Sequence, residues 1–177
     1  MKTSSKVISI VALVLIGLWA ALYIYVYIAR QKASLPVEVE ALMENADEFT
    51  LFSLDSHDFN DPNDPKTIQG HTILGRLDIK SLDTRTNLIA ALNEGIRADY
   101  QPHILWGVSA MPGCFNPRHA IRAKKGNKTV QLLICFECEQ IKITSNYGTN
   151  WYFLTSHDPA TVFNGILKDA GVPLPSD

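Results

Sequence analysis

One uninterrupted apolar run near the N-terminus constrains this chain more than any other feature. The 22 residues 7–28, VISIVALVLIGLWAALYIYVYI, contain no charged side chain. As a helix, a run of this length spans roughly 33 Å, slightly more than the hydrocarbon core of a bilayer at about 30 Å. A single segment crosses lipid only as a helix, because lipid offers no partner to free backbone groups. The run therefore predicts a transmembrane anchor over residues 1–32, with its helix at 7–28 and membrane lipid as its partner.

The flanks of this run distinguish an uncleaved anchor from a cleaved signal peptide. A signal peptide has an apolar region of about 7–15 residues followed by small residues at the cleavage site. Here the run is longer and ends in Tyr-Ile-Ala-Arg-Gln-Lys, which favours an anchor. Lys2 and Lys6 precede it, and Arg30 and Lys32 follow it, so the positive-inside rule leans slightly toward a cytoplasmic N-terminus. We therefore expect a single-pass protein of the inner (cytoplasmic) membrane with an extracytoplasmic soluble domain.

The chain behind the anchor is acidic. Four of the 16 basic residues lie at or before Lys32, which leaves 12 basic and all 18 acidic residues beyond it, a net charge of −6. Nucleic-acid binding depends on a cationic surface that neutralises phosphates. This composition argues against nucleic acid as a partner and leaves a protein partner open.

Hydrophobic periodicity predicts a juxtamembrane linker, residues 33–48, followed by a soluble α+β domain, residues 49–177. The linker itself can form a short helix that packs on the domain. Two stretches, 84–98 and the segment from Asp158 to Gly171, have the 3.6-residue spacing of amphipathic helices. Period-two alternation predicts strands at 49–54, 73–79, 103–108, 120–123, 129–143 and 151–154. Short connections leave little room for parallel crossovers, so we expect a small antiparallel sheet with two helices.

The longest predicted strand, 129–143, changes its phase. Apolar residues occupy even positions up to Phe136 and odd positions from Ile141 on. We interpret this slip as a β-bulge. A bulge between Cys135 and Cys138 would bring their sulfurs to the same side of the strand, whereas a bulge after Cys138 would leave them on opposite faces and would weaken the case for a shared metal ion.

Three cysteines and one histidine are the main candidates for a site. Cys135 and Cys138 form a C-x-x-C on the returning arm of a predicted hairpin, and Cys114 and His119 stand just before its outgoing arm. Pairing of the arms would gather three thiols and an imidazole, a ligand set suited to tetrahedral zinc. Cys114, His119, Cys135 and Cys138 are therefore the predicted metal ligands, and zinc is the predicted cofactor.

Two other interpretations of the cysteines stay open. In an oxidising compartment, two of them can form a structural disulfide in a structural or protein-interaction domain, with one thiol left over. Alternatively, one cysteine of lowered pKa works beside Arg118 and His119 in a thiol redox or catalytic module. The C-x-x-C does not open a helix, so it lacks the thiolate stabilisation of thioredoxin-like sites. The pattern favours a binding module over an enzyme, and no catalytic residue is assigned.

Basic residues surround the same histidine. Arg118 and Arg122 flank the segment, and three lysines follow at the hairpin tip. Guanidinium groups bind carboxylates and phosphates through two parallel hydrogen bonds. We therefore predict that Arg118 and Arg122 contact an anionic ligand or an acidic partner surface, whereas the lysines fit a solvated turn.

The segments CFNPRHAIR at 114–122 and ICFEC at 134–138 resemble a pattern in small bacterial envelope proteins of uncharacterised function, which are often lipoproteins or singly anchored. The pattern reads C-[FY]-x-P-R-H, then a hairpin, then [IV]-C-F-x-C. The resemblance covers about residues 112–144 and, more loosely, the closing helix. It implies that the cysteine and histidine cluster is one unit, and it supplies no mechanism.

Overall fold

The computed structural model describes residues 3–100, 115–148 and 150–175. These residues fall into two compact units, of which the first holds the described residues up to Ala33 and the second holds those from Ser34 on. The strand predicted at 103–108 and the predicted metal ligand Cys114 lie outside the described residues.

The first unit is the helix α1, Thr3–Gln31. Its candidate membrane span is Ser9–Gln31, 23 residues whose most apolar window has a mean hydropathy of 2.3 and is 0% buried. The predicted anchor is thus present as a helix that is long and apolar enough to cross a membrane.

The second unit combines helices with an antiparallel sheet. Its helices are α2 (Val37–Glu44), α3 (Leu82–Ala98) and α4 (Ala160–Asp169). Its strands over the described residues are β1 (Glu48–Phe59), β2 (Thr67–Ile68), β3 (His71–Asp78), β4 (His119–Lys125), β5 (Lys128–Cys135), β6 (Gln140–Ser145) and β7 (Asn150–Leu154). They form one curled sheet in the order β2-β3-β1-β4-β5-β6-β7, with antiparallel pairing throughout. The predicted α+β class with an antiparallel sheet is confirmed.

The juxtamembrane stretch 33–48 contributes helix α2 to the second unit. This helix buries three side chains, Val39, Leu42 and Met43. The buried amide of Asn93 in α3 holds the segment in place, because its Oδ1 accepts a hydrogen bond from Leu35 N at 2.8 Å and its Nδ2 donates to Glu40 Oε1 at 3.2 Å. The short helix that this stretch predicts therefore packs on the domain.

The segment 129–143, predicted as one bulged strand, is two strands joined by a turn. Strand β5 ends at Cys135, β6 begins at Gln140, and these two residues pair across the hairpin. In the turn, Glu139 has a φ of 54° and its N–H donates to Phe136 O at 3.3 Å. The predicted bulge is therefore wrong. A reversal of the chain, and not one inserted residue, moves the apolar side chains from even to odd positions.

One side of the sheet forms the main core. A transverse row of buried side chains crosses four strands, and it consists of Leu51, Ile121, Leu132 and Ile143. The next row on this side consists of Ser53, His119, Ile134 and Ile141. Because the ring of Phe163 in α4 packs on His119, we term this side the helix face. The opposite side, which carries Phe52, Ala120 and Leu133, is the inner face.

Gly95 in α3 lies where this helix meets the segment that leads into α4. Its carbonyl accepts a hydrogen bond from Ser156 N at 3.0 Å. A Cβ at this position would overlap Thr155 Oγ1 and would lie 2.7 Å from Pro159 Cγ. Glycine disfavours a helix interior by about 1 kcal/mol relative to alanine, so this close approach explains why the helix contains one.

Candidate binding cavity

A disulfide between Cys135 and Cys138 closes the turn that joins β5 to β6. Each sulfur accepts a backbone hydrogen bond, from Cys138 N to Cys135 Sγ at 3.0 Å and from Asn116 N to Cys138 Sγ at 3.4 Å. The two cysteines are only 1% and 6% exposed. The disulfide was one of the alternatives drawn from the sequence, and the turn that it closes contacts the segment just before β4.

His119, the first residue of β4, lies on the helix face. It is 3% exposed, and its Nε2 lies 2.8 Å from Asn164 Oδ1 in α4. The rings of Phe136 and Phe163 lie 5.3 and 5.6 Å from the imidazole centroid and 5.1 Å from each other. The register of the sheet and the packing of α4 together place this histidine between two aromatic rings.

Burial keeps the His119 imidazole neutral. Loss of water around the ring lowers its pKa from 6.5 to about 4; the hydrogen bond to Asn164 raises it, and the Arg118 charge lowers it further. An amide oxygen can only accept a hydrogen bond, so Nε2 of His119 carries the proton. Nδ1 is unprotonated and carries a lone pair. Among the described residues, neither Nδ1 nor the hydroxyl of Ser53, which pairs with His119 across β1 and β4, has a hydrogen-bond partner.

A cavity of about 410 Å³ opens beside this histidine. Its lining combines polar side chains with apolar ones, including Arg118, Phe136, His157, Ala160, Asn164 and Leu174. Nη2 of Arg118 also lies 3.1 Å from Glu137 Oε1 in the disulfide-closed turn. The volume lies within the range of small-molecule sites, about 300–1,000 Å³, and the mixed lining suits a ligand with an apolar body and a polar end.

The structure brings several of the sequence-predicted residues to this cavity and places one of them elsewhere. Arg118, His119 and Cys135 line it, and Cys138 is bonded to Cys135. The guanidinium of Arg122 instead lies on the inner face of the sheet, 5.3 Å from the centroid of the Phe52 ring, a residue of that face. Arg118 and Arg122 therefore lie on different surfaces of the domain, Arg118 at the cavity and Arg122 on the inner face.

The predicted metal site stays a prediction. Within the described ranges, no group of three or more His, Cys, Asp or Glu side chains could hold a metal ion. Cysteines joined in a disulfide have no thiolate to give to a metal, so zinc binding by Cys135 and Cys138 would require reduction. The fourth predicted ligand, Cys114, lies outside the described residues.

Sequence reasoning missed two polar residues next to His119. Ser53 follows Phe49 and Leu51 at a spacing of two, and this alternation is a signal that its side chain points to the core. Asn164 is 45 residues from His119 in the chain, and nothing in its neighbourhood points to a histidine. Only the packing of α4 on the sheet brings the amide and the imidazole together.

Comparison with protein-family models, with curated proteins and with solved structures gave no match for this chain.

Proposed function

We propose that this chain is a single-pass protein of the inner membrane whose extracytoplasmic domain binds a small ligand in the cavity beside His119. The Cys135–Cys138 disulfide then has a structural role. The observation that carries the proposal is the disulfide-closed turn itself, because Cys135, Phe136 and Glu137 all line the cavity. A fixed turn gives the cavity a preformed wall, which reduces the ordering cost of binding.

Two observations support an extracytoplasmic location of the domain. Disulfides persist in oxidising compartments and are rare in the cytosol. The distribution of basic residues around α1 leans in the same direction. Both observations support an extracytoplasmic domain held by α1, a helix long and apolar enough to cross a membrane.

A structural role for the disulfide fits its burial better than a redox role does. Thiol–disulfide exchange begins when a thiolate attacks a sulfur atom, so the sulfur has to be accessible. Cys135 and Cys138 are almost completely buried. The adjacent imidazole of His119 is neutral because of its lowered pKa, so it supplies no positive charge to a thiolate of Cys135 or Cys138.

Thiol trapping tests the structural disulfide against the metal-binding and redox alternatives. The full-length chain is extracted from membranes into acid, denatured, alkylated without reductant and weighed by intact-mass spectrometry. We expect one alkyl group per chain, on Cys114, and none on the matched variant Cys114→Ala. We also expect that replacing both Cys135 and Cys138 by alanine lowers the free energy of unfolding by about 2 kcal/mol, which is the chain-entropy value for so short a loop.

The opposite result of this experiment is equally specific. Three alkyl groups before reduction, with about one zinc ion per chain in the native preparation, would contradict the structural disulfide. They would support the predicted metal ligands Cys114, His119, Cys135 and Cys138. Partial alkylation that changes with the ambient redox potential would support the redox alternative instead.

Cavity filling tests the ligand site. The probe is 2-naphthoate, an aromatic ring that fits against Phe136 and Leu174 and a carboxylate that Arg118 can bind. Its binding to the full chain in lipid nanodiscs is measured by ligand-observed NMR. We expect a Kd of about 1 mM or tighter for the wild type, and binding at least about tenfold weaker for Ala160→Trp, because the indole occupies the cavity.

The control for this experiment is Ala170→Trp, which adds the same side chain at the exposed end of α4, away from the cavity. It should bind 2-naphthoate as the wild type does. Equal binding to all three proteins would place the probe outside the cavity. An absence of saturable binding to the wild type would remove aromatic carboxylates as ligands of this cavity.

A further inference from the structure

The inner face of the sheet, which is the side away from the His119 ring, carries Arg76, Arg122 and Lys142, together with Lys124, which pairs with Glu48. The register places Arg76 and Lys142 in one transverse row, Arg76–Phe52–Ala120–Leu133–Lys142, which Tyr152 on β7 continues. Arg122 lies in the neighbouring row, between Thr50 and Gln131. The inner face therefore presents cations from three different strands.

The curl of the sheet makes this face concave. Strand β2 is at one edge of the sheet, yet Gln69 in the β2–β3 turn donates from Nε2 to Thr144 Oγ1 on β6 at 2.8 Å. Ile68 packs with Phe52 and Leu133 in a small core beneath this turn. The β2–β3 turn thus covers part of the inner face and brings the Gln69 side-chain amide to β6.

The guanidinium of Arg122 contacts two neutral groups, the Phe52 ring and the Gln131 amide. It lies over the Phe52 ring, and with the amide oxygen of Gln131 toward it, it donates from Nε at 3.0 Å and from Nη2 at 3.2 Å. In the described part of the chain, no carboxylate forms an ion pair with Arg76, Arg122 or Lys142. These three charges therefore share the inner face without an ion-pair partner among the described residues.

Two carboxylates, Glu48 and Asp78, lie on this face, and Glu48 pairs with Lys124. Asp78 lies two positions after Arg76 on β3, and its Oδ1 accepts a hydrogen bond from Thr50 Oγ1 at 2.8 Å. Because Glu48 is paired with Lys124, Asp78 alone leaves an excess of positive charge over Arg76, Arg122 and Lys142. The electrostatics show the same excess. Burial and the Arg76 charge lower the pKa of Arg122, and burial and the Lys142 charge lower the pKa of His71 at the start of β3.

We propose that the inner face binds a phosphate dianion between Arg76, Arg122 and Lys142, with the amide of Gln69 at the rim. Three cations match a doubly charged oxyanion better than a single carboxylate, and arginine forks suit its oxygen atoms. The site lies on the face opposite the His119 cavity, so it is independent of the function proposed above.

Calorimetry with inorganic phosphate tests this site. The full chain is reconstituted in nanodiscs of zwitterionic lipid, and phosphate is titrated at pH 7.5 and constant ionic strength. We expect saturable binding with one site per chain. The double variant Arg76→Gln/Arg122→Gln should bind at least about tenfold more weakly, because it loses two positive charges and the charge-assisted hydrogen bonds of both guanidinium groups.

The matched control removes two positive charges elsewhere. Lys80 and Lys168 are exposed, and their double replacement by glutamine should change the Kd by less than about twofold. If both double variants lose affinity equally, or if the wild type shows no saturable binding, the proposal is overturned. Arg122→Lys keeps the positive charge but removes the forked guanidinium, so this variant should also bind phosphate more weakly than the wild type. It replaces the double variant as the test if the double variant does not fold.

A second arm identifies the source of the phosphate group. The titration is repeated in nanodiscs that contain phosphatidic acid, a lipid whose headgroup is a phosphate monoester. A weaker apparent affinity for inorganic phosphate, in the wild type only, would identify the headgroup as an occupant of the site. An unchanged affinity would assign the site to a soluble phosphate compound.

Discussion

Lowering the pH from 7 to 4 is expected to reduce the free energy of unfolding by about 3 kcal/mol through His119 alone. The pKa of this imidazole is about 4 in the folded chain and 6.5 in the unfolded one. Below pH 6.5 the unfolded chain takes up a proton that the folded chain excludes. The stabilisation is therefore complete above pH 6.5, declines as the pH falls, and is lost below pH 4. Each unit of pKa difference is worth about 1.4 kcal/mol.

Urea unfolding at pH 7, 5.5 and 4 measures this loss. Carboxylates and the other histidines also titrate over this interval, so the informative quantity is the difference between the wild type and His119→Gln. Glutamine does not titrate and can still hydrogen-bond to Asn164. The variant is expected to be less stable at pH 7 and to approach the wild type at pH 4. A difference that stays constant with pH would show that His119 is not buried as a neutral imidazole.

Replacing Phe163 by alanine is expected to lower the free energy of unfolding by about 3–5 kcal/mol, the usual cost of removing a buried phenyl ring. This side chain is 0% exposed, and its ring packs against both His119 and Phe136. Water entering the space should also raise the pKa of His119 toward 6.5, because burial is the main cause of its low value. Chemical denaturation measures the first effect, and NMR titration of the imidazole measures the second.

Two further variants of α4 serve as controls for Phe163→Ala. Thr161→Ala alters an exposed position of α4 and should change stability by less than about 0.5 kcal/mol. Phe163→Leu keeps most of the volume and should cost about 1 kcal/mol, which keeps the comparison usable if the alanine variant does not fold. A small effect of Phe163→Ala, with the pKa of His119 unchanged, would contradict the packing of α4 on the histidine.

Local chemistry accounts for the parts of this protein that the sequence predicts well. Residues 7–28 carry no charge and are too apolar for a surface helix, so their helical state follows from composition and length. The 3.6-residue spacing of Leu88, Leu92 and Ile96 predicts α3, and all three are buried. Lys-Lys-Gly-Asn-Lys at 124–128 marks a hairpin, and Gly126 in its turn has a φ of 55°.

The segment 129–143, wrongly predicted as one bulged strand, shows the limit of prediction from local periodicity. A bulge and a four-residue turn shift the apolar phase in the same way, so periodicity alone does not separate them. The turn needs a residue with positive φ, and Glu139 takes that conformation at φ 54° although glutamate carries no signal for it. Pairing of β6 with β7 on its far side favours the reversal, and that pairing involves residues that the local pattern does not include.

The long apolar helix, the fold class and the proximity of Cys135 to Cys138 depend on residues that are close in the chain, which is why the sequence predicts them. The candidate sites depend on distant ones. The imidazole of His119 meets Asn164 because α4 packs at the end of β4, and Gln69 meets Thr144 because the sheet curls until the β2–β3 turn reaches β6. Such contacts depend on strand register and on the packing of whole elements, and these are set by the free energy of the complete core and not by any one segment.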